Sequence, residues 1–312
     1  MRLQRRNAVG VLVGLCVMGA TGWAGSFSQD ARGTSAGVFL KLPVSARSSG
    51  LGGAVTALLG EAASLAWNPA GLSHVKGKKA LLSYSPYLDE TAYSNAIYAQ
   101  DVESGGVAVG LTYFDAGSID QTEETAGNVM GSYHPSSWAG TVGYGHRWGG
   151  WSLGGGAKYV TTRVVESDGT MALDLGALSP QFWSERVRFG AVAKNVGGRL
   201  TLGEMSRPLP LEYRLGVAAR PFPLWLVTGD LSFPRDDDPS AAIGTEGQWA
   251  PLAEWTFAAR AGWSGAVDSS LGGWAGTTIG LGATYTNMTV DYSFSPVDDL
   301  GNSHQLSLGL AF

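Results

Sequence analysis

The feature that most limits what this chain can become is its run of alternating segments from Lys79 to Phe312. Polar or small residues exchange with apolar ones at every second position, the side-chain period of a strand. The pattern fills fourteen stretches: 79–84, 93–100, 105–115, 137–148, 151–166, 171–180, 187–196, 211–219, 224–232, 241–249, 256–263, 276–285, 288–295 and 304–312. In the last of them Leu306, Leu308, Leu310 and Phe312 share one face, while Gln305, Ser307, Gly309 and Ala311 share the other. Val107, Val109, Leu111 and Tyr113 form a similar row, as do Leu211, Tyr213, Leu215 and Val217, and Met288, Val290, Tyr292 and Phe294. Aromatics stand near the row ends, where a membrane's interfacial girdle falls. No apolar run beyond the amino terminus reaches the roughly 18 residues of a membrane helix. Strands with one greasy face can cross lipid only as a closed sheet, which satisfies its own backbone polar groups. The expected fold class is all-β: a transmembrane antiparallel β-barrel of about 14 strands, an even number as in single-chain bacterial barrels.

The connections sort in the same way. Asp115 to Ser136, Gly197 to Pro210, Pro234 to Ser240, Ser264 to Ala275 and Pro296 to Ser303 are long, while Gly149-Gly150, Pro221-Phe222-Pro223 and Thr286-Asn287 are short. Long loops at one end and short turns at the other are the outer-membrane pattern, with the short turns periplasmic. The face opposite the apolar rows carries Gly, Ala, Ser and Thr with ten isolated charges. Five are acidic, Asp174, Glu212, Asp230, Glu246 and Asp291, and five basic, Lys158, Arg188, Lys194, Arg214 and Arg260. A charge facing lipid at mid-depth costs about 2–4 kcal/mol. These ten are therefore expected to face the lumen, where water or opposite partners satisfy them. Their balance points to a cross-braced lumen rather than a strongly ion-selective pore.

The first 24 residues read as a secretory signal peptide: Arg2, Arg5 and Arg6, an apolar stretch from Ala8 to Ala20, and small residues at Gly22 and Ala24 before the expected cleavage. Cys16, the single cysteine, lies inside it, and Leu15 before it does not fit a lipoprotein site. The mature chain then offers no thiol for disulfides, metal binding or nucleophilic catalysis. Loss of the three arginines leaves 18 basic residues against 26 acidic, a net charge of −8, so a basic nucleic-acid footprint is absent. Glycine is abundant, 46 of 312 residues, and charged residues are only 15%. Glycine without a collagen period and with few charges fits strands that keep one face in lipid.

Residues 25–78 lack strand alternation. Ser45 to Ala57 is small and glycine-rich, and Glu61 to Trp67 suits a short helix interrupted by Pro69. The stretch is too small for a core of its own, so its expected place is inside the barrel of residues 79–312 as a plug. Phe39-Leu40-Lys41-Leu42-Pro43, Ala46-Arg47-Ser48-Ser49-Gly50-Leu51-Gly52-Gly53-Ala54 and Trp67-Asn68-Pro69-Ala70-Gly71-Leu72 resemble the amino-terminal signature of the PorV/PorQ outer-membrane proteins. Those proteins are relatives of the FadL-type transporters of hydrophobic compounds, which share the Asn-Pro-Ala element in a lumenal hatch. The likeness continues through Gly154 to Tyr159, Leu173 to Ala177, Ala193 to Gly197, Pro210 to Gly216 and Leu300 to Phe312. It implies a fourteen-stranded barrel with an amino-terminal hatch, and makes Arg47, Asn68, Pro69 and Ala70 the hatch and gating candidates. Leu308, Leu310 and Phe312 resemble the signal read by the barrel-insertion machinery.

Catalytic constellations are not legible. His74, His134, His146 and His304 have no Ser-Asp pattern beside them. Asp236-Asp237-Asp238 and Asp298-Asp299 offer oxygen ligands of the kind Ca²⁺ takes, but a solvated acidic loop accounts for both. No enzyme, cofactor or metal site is expected. The resemblance implies passage of hydrophobic small molecules across the outer membrane of a diderm bacterium. The competing reading is a PorV-like accessory component that binds cargo in a type IX-like secretion system. The expected partners are outer-membrane lipid, the insertion machinery and either a hydrophobic substrate or secretion proteins.

Overall fold

The computed structural model describes residues 27–86, 91–122, 129–164, 166–267, 274–296 and 302–312. The expected signal peptide and Asp298-Asp299 lie outside them. Fourteen strands build the wall: β1 (Lys78–Pro86), β2 (Ala92–Val102), β3 (Gly105–Asp115), β6 (Ser136–Trp148), β7 (Trp151–Arg163), β8 (Ser167–Leu178), β9 (Val187–Val196), β12 (Glu212–Phe222), β13 (Trp225–Pro234), β14 (Ser240–Leu252), β15 (Trp255–Ser264), β16 (Thr277–Tyr285), β17 (Met288–Pro296) and β18 (Asn302–Ala311). Each pairs antiparallel with the next, and β1 closes on β18 in a register that runs from Lys79↔Ala311 to Tyr84↔Leu306. The wall strands are 9–13 residues long, enough for the roughly 9–11 residues that a tilted strand needs to cross the hydrocarbon.

Alternation separates the two faces. In β13, Leu226, Thr228, Asp230 and Ser232 are buried, while Val227 and Leu231 are exposed. Leu82, Val109, Leu111, Val142, Leu175, Ile243, Leu281 and Val290 stand exposed on the outside, Leu281 to 64%. A water-soluble wall does not present so continuous an apolar band. Trp148, Trp225, Trp249, Trp255 and Tyr285 rim it at the short-turn end, and Tyr84, Tyr113, Trp138, Tyr159 and Tyr292 at the long-loop end. These are the two aromatic girdles of a membrane barrel.

Several sequence boundaries move. The segment expected over 151–166 ends at Arg163, and the next begins at Ser167, because Arg163↔Ser167 closes a tight connection. Leu211, expected to face lipid, is 8% exposed. It precedes the strand in a turn where its amide donates to the Leu209 carbonyl. Two long loops also contain hairpins, β4 (Ile119–Thr122) with β5 (Val129–Tyr133), and β10 (Arg199–Leu202) with β11 (Met205–Pro208).

Residues 44–75 touch inward-facing positions on most of the wall. Helix α1 (Ala46–Gly50) is started by Ser45, whose hydroxyl accepts from the Ser48 amide in a capping box. It packs against β15 to β18. The chain then turns across β12 to β14, forms helix α2 (Ser64–Trp67), and ends in a 3-10 turn, Pro69–His74, against β3, β6, β7 and β8. The approach is close because most of these strands turn a glycine inward. A Cβ on Gly154 would lie 2.2 Å from the Ala70 amide, and one on Gly262 2.2 Å from the Gly52 amide. Gly106, Gly145, Gly176, Gly190, Gly216, Gly244 and Gly280 continue this track. The glycine excess therefore serves the inner face more than the lipid face.

Candidate functional site

Asn68 is the pivot of the inner segment. It is fully buried and extended, between α2 and the 3-10 turn. Its Oδ1 accepts from the Ala70 amide at 3.1 Å, capping the turn, and its Nδ2 donates to the Thr56 carbonyl at 2.8 Å. Longer contacts of 3.4 Å reach the carbonyls of Ala177 on β8 and Ala191 on β9. Pro69 occupies the first turn position, where no amide hydrogen is needed. Any side chain at Gly176 would strike Asn68, since its Cβ would lie 2.0 Å from Oδ1. Asn, Pro and Ala thus fix one bend between two strands of the wall.

Arg47, on α1, ties the segment to the wall. Its Nε and Nη2 donate to the two Glu246 oxygens at 2.7 and 2.8 Å, and it also pairs with Glu61. This is the bidentate geometry that favours arginine. Glu246 in turn accepts from Arg260 at 2.6 Å, and Arg260 donates to Asp291 at 2.7 Å. Glu61, Arg47, Glu246, Arg260 and Asp291 so form one alternating chain from the inner segment through β14, β15 and β17. A second tie is Asp230, which accepts from the Val55 and Thr56 amides at 3.0 and 3.1 Å and from the Thr56 hydroxyl at 2.7 Å. Arg214 joins it, donating to the Gly53 carbonyl at 3.0 Å and lying 3.6 Å from Glu212.

The third charged group sits at a wall bulge. Leu173↔Val196 and Leu175↔Ala193 leave Lys194 and Asn195 as a bulge in β9, with Asn195 at φ 59°. A bulge turns successive side chains to one side, and both are buried inside. Lys158 bonds Asp174 and Asn195, each at 2.8 Å, and the Asn195 amide donates to Asp174 at 2.7 Å. Lys194, 8% exposed, stands opposite Glu212 in register. Arg188, at the short-turn end of the same strand, is half-buried and falls on the same side of β9 as the buried Gly190 and Val192. All ten charges therefore stand on the inner side, and the five acids are engaged by Lys158, Arg214, Arg260 and Arg47.

Glu61 and Thr56 were not foreseen, because partner choice across 12 to 174 residues of chain leaves no local signal. The inward glycine track did leave one, a glycine on the non-apolar face of strand after strand. The acidic run also reads differently in space. Asp236, Asp237 and Asp238 engage Lys41, Arg32 and the Gln29 amide at 2.5, 2.9 and 3.0 Å, so they are not a solvated loop. Among the described residues no group of three potential metal ligands occurs. His74, at the end of the 3-10 turn, is held below its usual pKa by burial, with Arg188, Arg147 and Lys76 adding to it. His146 and His304 face outward, bonded to Tyr144 and Tyr292.

Above the inner segment, towards the long loops, lies a cavity of about 740 Å³. Val55, Leu65, Ala66 and Trp67 form its floor. Ile97, Ala139, Thr112 and Thr141 line one wall, and Lys158, Lys194, Glu212 and Arg214 the other. The Trp67 indole nitrogen is buried without a hydrogen-bond partner among the described residues.

A closed fourteen-stranded antiparallel sheet with an apolar, aromatic-rimmed exterior and a polar interior defines a transmembrane β-barrel. No family model matches the chain, and no curated protein matches it. Among solved structures, it superposes on a TodX monoaromatic hydrocarbon channel mutant with TM-score 0.60 at 14% identity, over 86% of this chain and 99% of that one. The Ralstonia pickettii toluene transporter TbuX gives 0.58 at 13% identity, over 86% and 98%. A Pseudomonas aeruginosa FadL homologue gives 0.59 at 10% identity, over 86% and 98%. The fold is that of the FadL-like barrels.

Proposed function

We propose that the protein is an outer-membrane channel for hydrophobic small molecules, in which residues 25–78 act as a hatch within a barrel formed by residues 79–312. The observation that carries this reading is the cavity of about 740 Å³ with an apolar floor, directly above the Asn68-Pro69-Ala70 bend. The recess sets an apolar floor and one apolar wall against a charged wall of Lys158, Lys194, Glu212 and Arg214, and a concave site of this size with convergent polar groups suits a small ligand. The chains it superposes on are described as a monoaromatic hydrocarbon channel and a toluene transporter, which supports uncharged, apolar cargo. In this reading Arg47 holds the hatch to β14, and Asn68, Pro69 and Ala70 set the bend that must shift for cargo to pass. The location it implies is the outer membrane of a diderm bacterium, reached through the barrel-insertion machinery.

The test is the double variant Asn68→Ala/Pro69→Gly, reconstituted in vesicles with an entrapped sensor for a hydrophobic probe. Loosening the bend is expected to change flux at least severalfold while the barrel stays folded. Unchanged flux in a folded variant rejects the gating role. No flux in either protein would reject the channel reading.

A further inference from the structure

We infer that residues 27–43 form a strap that closes the long-loop mouth of the barrel and is fastened by the Asp236–Asp238 loop. The path of the chain carries this. Phe27 starts at the rim, its amide donating to the Arg235 carbonyl at 2.7 Å and its ring stacked 6.3 Å from Tyr213 on the outer face of β12. The Ala36 amide then donates to the Pro208 carbonyl at 2.9 Å, beside the β10–β11 hairpin. Phe39 is buried across the lumen, 6.3 Å from Phe114 of β3, and the Tyr93 hydroxyl of β2 reaches the Leu42 carbonyl at 3.4 Å. The strap leaves by β18 and β1, where Gln305 donates to the Pro43 carbonyl and Ser83 to the Val44 carbonyl. The strap is folded rather than taut, with 3-10 turns at Gln29–Ala31 and Val38–Lys41.

The two sides of this closure differ. On one, Phe39, Leu200 and Leu209 join Tyr93, Ala139 and Val160 in a buried apolar cluster. On the other, the strap is held by charge: Arg32 to Asp237 at 2.9 Å, Lys41 to Asp236 at 2.5 Å, and the Gln29 amide to Asp238 at 3.0 Å. Gln29, Arg32, Leu40, Lys41 and Asp237 all line the cavity beneath, so releasing the charged side opens it while the apolar side stays as a hinge. Arg32 and Asp237 are half exposed and about a third exposed, so that pair exchanges readily, and the Lys41–Asp236 pair, with Asp236 6% exposed, carries more of the fastening. The strap's consequence for passage rests on the channel reading; its closure of the mouth does not.

The experiment reads access rather than transport. In the full chain with Cys16→Ser, a single cysteine is placed in the cavity wall as Thr141→Cys, or on an exposed loop as Ser118→Cys. The purified protein in detergent is reacted with a maleimide carrying a bulky polyethylene glycol. Adding Asp236→Asn/Asp237→Asn is expected to speed Thr141→Cys labelling by about tenfold, the factor for roughly 1.4 kcal/mol of lost fastening, and to leave Ser118→Cys unchanged. Arg32→Asp should also speed it, and adding Asp237→Arg should slow it again. Equal Thr141→Cys rates in parent and Asn variant, both still folded by their heat-dependent gel shift, overturn the strap. If the Asn variant does not fold, the charge swap decides: failure of Asp237→Arg to restore slow labelling overturns it, and restoration supports it.

Discussion

At the scale of residues, one carboxylate does most to join the inner segment to the wall. Glu246 accepts from Arg47 and Arg260, and is itself fully enclosed. Neutralising it removes the carboxylate that two guanidinium groups share, leaving Arg47 with Glu61 alone and Arg260 with Asp291 alone, whereas removing Arg47 leaves Glu246 with Arg260. Breaking one partner of a buried ionic set costs about 3–5 kcal/mol because the remaining charge goes uncompensated. Glu246→Gln is therefore expected to destabilise the folded barrel by the order of 3 kcal/mol, and Arg47→Gln by clearly less. Unfolding titrations in detergent, followed by the gel shift between folded and unfolded forms, measure both; equal losses would contradict the shared-carboxylate arrangement. Much of this site was legible in the residues themselves. Charges spaced along strand faces that otherwise carry Gly, Ala and Thr have few places to go but inward. Which charge meets which was not legible, since Arg47 and Glu246 are brought together by the path of residues 44–75 and not by any spacing in sequence.

At the scale of elements, the strands were readable because lipid on one side and a polar, glycine-lined interior on the other enforce the two-residue period along most of the wall, the bulge at Lys194-Asn195 being a break in it. The elements that escaped are those under no such pressure. The four-residue strands β10 and β11 flank Gly203-Glu204, too short to show alternation. Helix α1 is five residues, four of them small, whose box uses Ser48 in place of the usual Glu or Gln, so its composition reads as loop. The strand with the clearest pattern also makes the clearest element-level prediction. On β18, Leu306, Leu308 and Leu310 face out, Phe312 is 63% exposed, and its backbone pairs with Lys78 at the start of β1. Deletion of Phe312, or Leu308→Asp/Leu310→Asp, is expected to leave export intact and reduce insertion into the outer membrane several-fold. Fractionation of cells into periplasm and membrane checks it, and normal insertion of both variants would remove the role assigned to this strand.

At the scale of the whole molecule, closure is the property that everything else assumes. An open sheet would leave β1 and β18 with unpaired amides in lipid, each costing several kcal/mol; the cavity would lose a wall, and the inward glycine track would lose its ring. The seam between β1 and β18 joins the two ends of the barrel sequence, so no local signal specifies its register. It is set by which faces must meet lipid, because a slip of one residue would turn every leucine of β18 inward. The register pairs Ala80 with Leu310, both on the outer face. With Cys16→Ser, the pair Ala80→Cys/Leu310→Cys should therefore oxidise to a crosslink in the folded protein. Ala80→Cys/Leu306→Cys, displaced by four residues or about 13 Å along the strand, should not. The crosslink joins residues near the two ends of the barrel chain, so boiled, unreduced protein should run as a compact loop on a gel and shift on reduction. Crosslinking of the displaced pair as readily as the aligned one would place the seam in another register, and failure of both would leave the sheet open.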